Sequence, residues 1–499
     1  MVWILLLYLI NTLFMLIIAI REVRRPAKAL FWLIIGLVLP VIGFVLYLST
    51  SNPARIQRER LTSPHNESDT LPDSFSSSAA VIAHALRHFT VNGLRSCQAQ
   101  VLTNGVETYN ALIESIQNAE RTIDLEYYIY RNDPIGTRIT ELLIERATAG
   151  VQVRFVRDGF GSRKFPQRQI IRMMDAGIEC RTFFPMRFPW ILSNLNFRDH
   201  CKIVVIDKKE VFTGGINVGY EYTGLKPNIG FWRDTHVRIE GEVVEDLQEV
   251  FAAHWNIASL ERMKTEATRN LNEKEQNIVP AHKTAFPAWS TEYGTELGIN
   301  VDKSADTDQK KKEFKEAYVQ TIEGNPGIPT QVIREAYFIC LTKATQTIDI
   351  TTPYFLPEED IIVALKSAKA RGVRVRLLVS RKMERTTKIV GAASWTYYGE
   401  LLEAGVQIFL YNKGILHAKL MVIDGEIAEI GAANYDIRSL RLDYEVCEFF
   451  YSVDVARELT EQFERDITDS VPLSIEDLTQ RPISKRIMDQ GARLFSPFL

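Results

Sequence analysis

Two long apolar runs open the chain, and a short charged turn separates them. They cover residues 2–20 and 29–48, and the first is interrupted by just two polar residues. Each run is about long enough to cross roughly 30 Å of hydrocarbon as a helix. The turn, residues 21–28, carries four basic residues and one acidic residue, a charge density that must stay in water. The pattern predicts a transmembrane α-helical hairpin over residues 1–49.

A cleaved signal peptide is the alternative interpretation of the first run. Such a peptide would have basic residues before the apolar run and a small-residue cleavage site after it, and both are missing here. Basic residues lie on both sides of the hairpin in nearly equal number, because Arg55, Arg58 and Arg60 follow it, so the charge count does not orient it. Pro40 leaves open a shallow re-entrant loop in place of the second crossing.

Polar segments divide the rest of the chain. Residues 50–80 are rich in Ser, Pro, Asn and Asp, which is typical of a solvated tether. Residues 261–316 contain a dense run of Lys, Asp and Glu, which indicates an exposed insertion or linker. Two globular domains are therefore predicted, at 81–260 and 317–499.

The two predicted domains repeat one another. A β-like run at 122–130 matches a second at 347–355, and a helical pattern follows each. Alternating strands at 150–156 and 372–378 then begin with a glycine that ends the preceding helix. Strand–helix–strand units in series predict an α/β fold with two similar sandwich domains, packed as a pseudo-dimer.

Composition and charge narrow the class of protein. The 499 residues are 46% hydrophobic and 24% charged, which is typical of globular domains. A net charge of -3 provides no global basic field, so nucleic acid is not an expected partner. Five scattered cysteines, an odd number, form no disulfide framework and favour a reducing compartment. We expect a multi-pass protein of the cell membrane with cytoplasmic catalytic domains, and the oligomeric state stays open.

Each domain contains a histidine, a lysine two residues later and an aspartate five residues after that. Because side chains alternate along a strand, each histidine should share a face with its lysine, while Cys201 and Ala418 point into the core. That face is the predicted site. The two sets are His200, Lys202 and Asp207, and His417, Lys419 and Asp424.

An asparagine follows each histidine by 17 residues, as Asn217 and Asn434. A β-hairpin with a two-residue loop would explain this spacing, pairing Asp207 with Glu210 in the first copy and the equivalent residues in the second. Each histidine would then lie opposite its asparagine across the ladder. A bulge would shift this register.

Two sets of His, Lys and Asn suit phosphoryl transfer. An imidazole can attack phosphorus, ammonium groups neutralise the phosphate oxygens, and the amide donates a hydrogen bond. The second imidazole can protonate the leaving alkoxide. Along the sequence there is no carboxylate cluster for Mg²⁺ and no thiolate set for Zn²⁺, so we predict a metal-independent enzyme without a cofactor.

The candidate residues also have structural interpretations. One isolated match would as easily be a partly buried strand histidine, but two matches with equal spacing to asparagine rarely arise by chance. Asp207 and Asp424 stand at strand ends, where turn or ion-pair residues are commoner than catalytic acids. Asp234 and Glu445 follow the asparagines in β-like segments, and they could either fix a histidine tautomer or be edge-strand acids.

The duplicated motif resembles that of the phospholipase D superfamily, whose members carry His-x-Lys-x4-Asp twice and work through a phosphohistidine. The chain is similar to the bacterial cardiolipin synthases of that superfamily over most of its length outside the tether and insertion. Departures include Cys201, where arginine is common, and Ala432, where threonine is usual. The likeness lies in the apolar hairpin and in residues 127–129, 196–200, 232–238, 352–357 and 434–439.

This resemblance implies an activity and roles. Two phosphatidylglycerol molecules would be joined into cardiolipin with release of glycerol, so the implied partners are phosphatidylglycerol, other phospholipids and the bilayer. His200 would be the nucleophile and His417 the acid, while Asp234 and Glu445 match the histidine-orienting acids.

Three other functions compete with this one. A phospholipase D-type hydrolase would use the same residues with water as acceptor. A nuclease is disfavoured by the apolar hairpin and by the lack of a long basic tract. A non-enzymatic membrane adaptor would be expected to have a broken catalytic set, and both sets are intact.

Overall fold

The computed structural model describes residues 2–22, 26–40, 42–43, 47, 71–185, 197–227, 229–260, 312–327, 331–383 and 387–494. Most of the predicted tether (50–80) and polar insertion (261–316) lies outside the described residues. The proposed domain boundaries therefore stay predictions.

The described helices and strands alternate along both halves of the chain. The helices are α1 Val2–Arg21, α2 Pro26–Val38, α3 Ser77–Leu86, α4 Asn104–Asn118, α5 Pro134–Thr148, α6 Gln167–Asp175, α7 Val243–Ile257, α8 Val332–Lys343, α9 Glu359–Ala370, α10 Lys388–Glu403, α11 Ile437–Arg441, α12 Val453–Thr468, α13 Ile475–Thr479 and α14 Ile483–Arg493, with a 3₁₀ turn at Tyr220–Thr223.

The strands of the first half are β1 Arg95–Thr103, β2 Thr122–Tyr127, β3 Gln152–Asp158, β4 Glu179–Phe183, β5 Lys202–Ile206, β6 Glu210–Gly214, β7 Trp232–Arg233, β8 Thr235–Gly241 and β9 Ser259–Leu260. Those of the second half are β10 Lys315–Gly324, β11 Thr347–Thr352, β12 Phe355–Leu356, β13 Arg374–Ser380, β14 Gln407–Tyr411, β15 Ile415–Leu416, β16 Leu420–Ile423, β17 Ile427–Gly431, β18 Tyr435–Asp436, β19 Glu445–Tyr451 and β20 Ser470–Leu473.

The N-terminal helices α1 and α2 pack against each other as a hairpin. The Asn11 amide donates a hydrogen bond to the Gly36 carbonyl at 3.1 Å, which joins the two helices. The second helix ends at Val38, two residues before Pro40, so its 13 residues span about 20 Å. By length and hydropathy taken together, no helix in the described part of the chain qualifies as a bilayer crossing. The prediction of a hairpin is supported, but that of two crossing helices is not.

One mixed sheet of 16 strands runs through both halves. Its order is β9-β4-β3-β2-β5-β6-β8-β1 in the first half and β10-β19-β17-β16-β11-β13-β14-β20 in the second. The halves meet where β1 pairs antiparallel with β10, from Arg95 opposite Val319 to Ala99 opposite Lys315. The predicted repeat is confirmed, since each half has the same strand order, reversed about this seam. The two domains therefore share one sheet.

The halves also share a hydrophobic core. One buried cluster contains Val101, Ile203 and Phe251 from the first half together with Val422 and Phe450 from the second. Further clusters fill each half under its own helices. Because strands and core both continue across the seam, the two halves are held in a fixed relation.

The predicted hairpin register is wrong by one residue in both copies. Ile206 pairs with Glu210, and Ile423 pairs with Ile427, so each loop has three residues. The motif aspartates begin these loops with positive φ, +53° at Asp207 and +54° at Asp424. They leave the ladder because their carboxylates bind backbone N–H groups elsewhere, as described below. His200 and His417 also precede β5 and β16, so they do not face the asparagines across a ladder.

Candidate active site

Two short backbone pairings between the halves position the histidines. Strand β15 pairs in parallel with β7, and the His417 N–H donates to the Arg233 carbonyl at 2.7 Å. In the same way Asp199 bridges Tyr444, and the His200 N–H donates to the Tyr444 carbonyl at 2.9 Å. Each histidine is thus anchored to the backbone of the opposite half, one residue before that half's candidate acid.

Each imidazole forms a hydrogen bond with the acid from the other half. His200 Nδ1 lies 2.9 Å from Oε1 of Glu445, and His417 Nδ1 lies 2.7 Å from Oδ2 of Asp234. Both carboxylates are fully buried. A carboxylate at Nδ1 fixes the tautomer and leaves Nε2 available for chemistry. The structure therefore brings Asp234 and Glu445, for which sequence spacing left two interpretations, against the two histidines.

The two lysines lie beside the histidines and are also buried. Lys202 donates to the backbone carbonyl of His200 at 2.5 Å. The ammonium group of Lys419 lies 2.8 Å from Nδ1 and 3.1 Å from Nε2 of His417, and it also donates to that residue's carbonyl. Cys201 and Ala418, between each histidine and its lysine, pack in the shared core, which confirms the predicted alternation.

Burial and the concentration of cations lower the pKa values of both histidines. Burial and the ammonium groups of Lys202 and Lys419 hold the pKa of His200 well below its usual range. Burial and Lys419 lower the pKa of His417 to about 4, although Asp234 opposes the shift. Burial likewise lowers the pKa of Lys202, and it lowers the pKa of Lys419 to about 7. The site therefore favours an anionic ligand, because a negative charge there would offset the repulsion among the protonated forms of these four side chains.

The pKa values of the two acids are shifted in opposite directions. Burial disfavours the carboxylate of Asp234, but His417 and Lys419 outweigh burial and hold its pKa below the usual range. For Glu445, burial dominates over Lys202 and raises the pKa to about 8. The negative charge of Asp234 beside His417 is therefore more strongly favoured than that of Glu445 beside His200. A protonated imidazole is better stabilised at His417.

Both asparagines use their amides within the protein. The Asn217 side chain donates to the Tyr222 hydroxyl at 3.1 Å and accepts from the Ile129 N–H at 3.0 Å. The Asn434 side chain donates to the Tyr354 hydroxyl at 2.9 Å. The predicted hydrogen bond from each amide to a phosphate oxygen stays a prediction. Each amide thus binds a tyrosine hydroxyl, and the Tyr222 ring centre lies 6.4 Å from that of His417.

The motif aspartates lie away from the imidazoles. Asp207 follows the far end of β5 from Lys202, about 16 Å along the strand. Its carboxylate accepts hydrogen bonds from three successive N–H groups, of Glu120, Arg121 and Thr122, at 2.7–2.9 Å. Partial burial raises its pKa, but these bonds outweigh burial and the pKa is lowered.

Asp424 makes the equivalent contacts in the second half, to the N–H groups of Thr345, Gln346 and Thr347 at 2.7–2.9 Å. The turn interpretation of both aspartates therefore fits the structure.

Some residues near the histidines were missed or set aside by sequence reasoning. The Tyr128 ring meets His200 edge to face, with centroids 4.9 Å apart, and Trp232 lies 5.3 Å from His417. Arg438 forms an ion pair with Asp443 at 3.0 Å and lies close enough to His200 to lower its pKa. Tyr128 and Arg438 belong to segments 127–129 and 434–439, which carry the resemblance to the cardiolipin synthases. That resemblance could therefore have identified them as site residues.

A buried polar cluster behind His200 was also missed, because its members are far apart in sequence. Glu126, Asp199, Cys201 and His254 offer ligand atoms within 4.8 Å of one another. This set could hold a divalent cation. His254, however, already forms hydrogen bonds with Glu126 at 2.7 Å and with Glu323 at 3.2 Å. These shared protons also satisfy both of its ring nitrogens.

Gly215 is required for the close approach of Asp234 to the site. A methyl group at this position would overlap Oδ1 of Asp234. The Gly215 N–H also donates to the Thr235 carbonyl at 2.9 Å, which aligns the loop after β6 with β8. The glycine therefore makes room for the acid that contacts His417.

Comparison with known proteins identifies related sequences over nearly the whole chain. The model of the PLD-like domain of cardiolipin synthases matches residues 112–255 and 337–467, and the phospholipase D-nuclease N-terminal model matches residues 10–50. A cardiolipin synthase of Geobacillus sp. (strain WCH70) is 36% identical, with 96% of this chain and 90% of that protein covered. One of Geobacillus kaustophilus is also 36% identical, with 98% and 92% covered.

A solved structure has the same fold. Phosphatidylserine synthase of Haemophilus influenzae superposes with a TM-score of 0.58 over 85% of this chain and 100% of that one. Its sequence identity is 13%, so this likeness concerns the fold alone.

Proposed function

The chain belongs to the PLD-like cardiolipin synthase family, and from that premise we propose that it is a phosphatidyltransferase that makes cardiolipin and glycerol from two phosphatidylglycerol molecules. The observation that carries the proposal is the crossed pairing of His200 with Glu445 and of His417 with Asp234. It supports a single site made by both halves, with two oriented imidazoles and two lysines.

His200 is the nucleophile in this proposal. Its low pKa keeps the imidazole neutral, so Nε2 has a lone pair for attack on the phosphorus of the first phosphatidylglycerol. The bond from phosphorus to the glycerol headgroup oxygen breaks, and His417 gives its proton to that oxygen. Glycerol leaves, and the phosphatidyl group stays on His200.

His417 then acts as the base. It takes the proton from a headgroup hydroxyl of the second phosphatidylglycerol, and that oxygen attacks the phosphorus. The bond from phosphorus to His200 breaks, and cardiolipin forms. Lys202 and Lys419 neutralise the phosphate oxygens in both steps, and a bound phosphodiester raises the pKa of His417 so that it starts protonated.

Product analysis tests the reaction. Purified protein incubated with phosphatidylglycerol should yield cardiolipin and glycerol in equal amounts. Phosphatidic acid as the main product would favour the hydrolase, in which water replaces the second lipid. Enzyme quenched with detergent at mildly alkaline pH, where a phosphohistidine is stable, should carry the phosphatidyl group on the peptide containing His200. Its attachment to the His417 peptide would reverse the two roles.

We also propose that the N-terminal hairpin enters the membrane and that the catalytic halves face the cytoplasm. Leu9, Leu13 and Leu16 of α1 and Leu30 and Leu37 of α2 expose large apolar side chains, which suits contact with lipid. All five cysteines are free, as expected in a reducing compartment. Protease protection in right-side-out and inverted vesicles tests both the orientation and the number of crossings.

A further inference from the structure

The C-terminal helix α14 is attached to the second half by its less apolar side. Asp489 and Ala492 are buried. Arg481 binds the Asp489 carboxylate with two hydrogen bonds, at 2.6 and 3.1 Å. The guanidinium of Arg481 also lies 3.9 Å from the ring centre of Trp395 in α10. These contacts fix the helix against α10.

The opposite side of α14 is apolar and points away from the protein. Ile483, Ile487 and Leu494 are 73%, 68% and 75% exposed. They are four and seven residues apart, which places them within about 40° of arc on a helix. A helix on a soluble protein normally turns such a stripe toward the core. Here the side of the helix that faces the core carries the Asp489 carboxylate, and the outer side carries the stripe. The outer side is therefore suited to contact a partner.

The charge of α14 indicates what the partner is. Its one acidic residue, Asp489, is engaged by Arg481. Of its basic residues, Arg486 lies beside the stripe, Arg493 lies on the same edge and packs over the Tyr397 ring at 4.5 Å, and Lys485 lies on the side of Asp489. An apolar stripe with arginines along one edge is typical of a helix that lies in the surface of an anionic membrane. We propose that α14 docks in this way, with the stripe among the acyl chains and Arg486 at the headgroups. The proposal rests on the proposed function, in which the substrate is an anionic phospholipid.

The helix is connected to the wall of the site. It packs on α10, and α10 contacts β12. Strand β12 pairs with β18, which begins directly after Asn434. Docking of α14 would therefore hold the site at a defined position relative to the lipid surface from which both substrates come.

A fluorescent label tests the docking in the full-length protein. All five native cysteines are buried, so Ile487→Cys gives a single reactive thiol. The labelled protein is reconstituted in vesicles containing phosphatidylglycerol and a lipid with a nitroxide on its acyl chain. We expect quenching at this position to be several-fold stronger than at Glu179→Cys, an exposed position in β4 of the other half. Equal quenching at the two positions would overturn the proposal.

A double substitution separates docking from chemistry. Ile483→Ser with Ile487→Ser changes exposed side chains, so the fold should be kept. We expect KM for phosphatidylglycerol in vesicles to rise several-fold, with kcat in detergent micelles unchanged. An unchanged KM would contradict docking, as would crosslinking of Ile487→Cys between two copies on vesicles. If the wild-type protein made no cardiolipin in any medium, the proposed function would fail while the quenching result would still stand.

Discussion

His417 Nδ1 and Oδ2 of Asp234 lie 2.7 Å apart, although the two residues belong to opposite halves of the chain. Their backbones are joined as well, because the His417 N–H donates to the carbonyl of Arg233, the residue before the acid. The imidazole is thus oriented by two independent contacts from the other half. Chemistry in this site depends on how the halves are assembled.

Asp234→Asn should lower kcat by about 10²–10⁴-fold, because the amide cannot stabilise the His417 imidazolium or enforce its tautomer. KM for phosphatidylglycerol should change little, since the acid is fully buried behind the ring. Steady-state kinetics measure both values. The control is Asp124→Asn, which removes a partly buried ion pair with Arg154 in the same half and should leave kcat near wild type. A KM effect without loss of kcat at Asp234→Asn would contradict the positioning role.

Gly215→Ala should reproduce much of the Asp234→Asn defect. The added methyl group overlaps Oδ1 of Asp234 and must push the carboxylate away from His417. Gly399→Ala is the matched control, because the nearest side-chain atom there, on Leu478, lies at an ordinary 3.8 Å. Comparing kcat and melting temperature for both variants checks this. Wild-type kcat in Gly215→Ala would show that the acid can move without consequence.

Asp207→Ala should reduce stability and leave the chemistry intact. It leaves three N–H groups without their acceptor, at a cost of about 1–3 kcal/mol for those that water cannot reach. Because the pKa of Asp207 is lowered in the folded state, its contribution is present above the ordinary pKa of about 4 and is lost as pH falls through the folded value. Denaturant unfolding of variant and wild type should therefore differ at pH 7 and converge in acid. A large loss of kcat per folded molecule would instead assign Asp207 to catalysis.

Activity should fall as pH rises through about 7, because Lys419 then loses the proton that lets it neutralise phosphate. The Lys419→Arg variant should have a lower kcat, but its activity should not fall as pH rises through about 7, since arginine stays charged. The measurement is kcat/KM against pH for both proteins. A wild-type profile that is flat from pH 6 to 9 would contradict the assignment.

Much of this arrangement was predictable from the sequence. The repeated strands, the paired His and Lys residues and the inward direction of Cys201 follow from local periodicity, and all three are found. The crossing of Asp234 and Glu445 was not predictable, because it depends on short parallel pairings between segments about two hundred residues apart.

The hairpin register was mispredicted for a different reason. Loop rules treat the turn alone, whereas Asp207 and Asp424 are drawn out of the ladder by backbone N–H groups of a neighbouring segment. The cluster around His254 was missed for a similar reason, since only the folded chain brings its members together.

The shared seam between β1 and β10 has a consequence for how such a protein can change over time. An isolated half would expose an unpaired strand edge, and its histidine would have no acid. A mutation of the acid in either half therefore affects the histidine of the other. The two halves must evolve together, as partners that each carry what the other lacks.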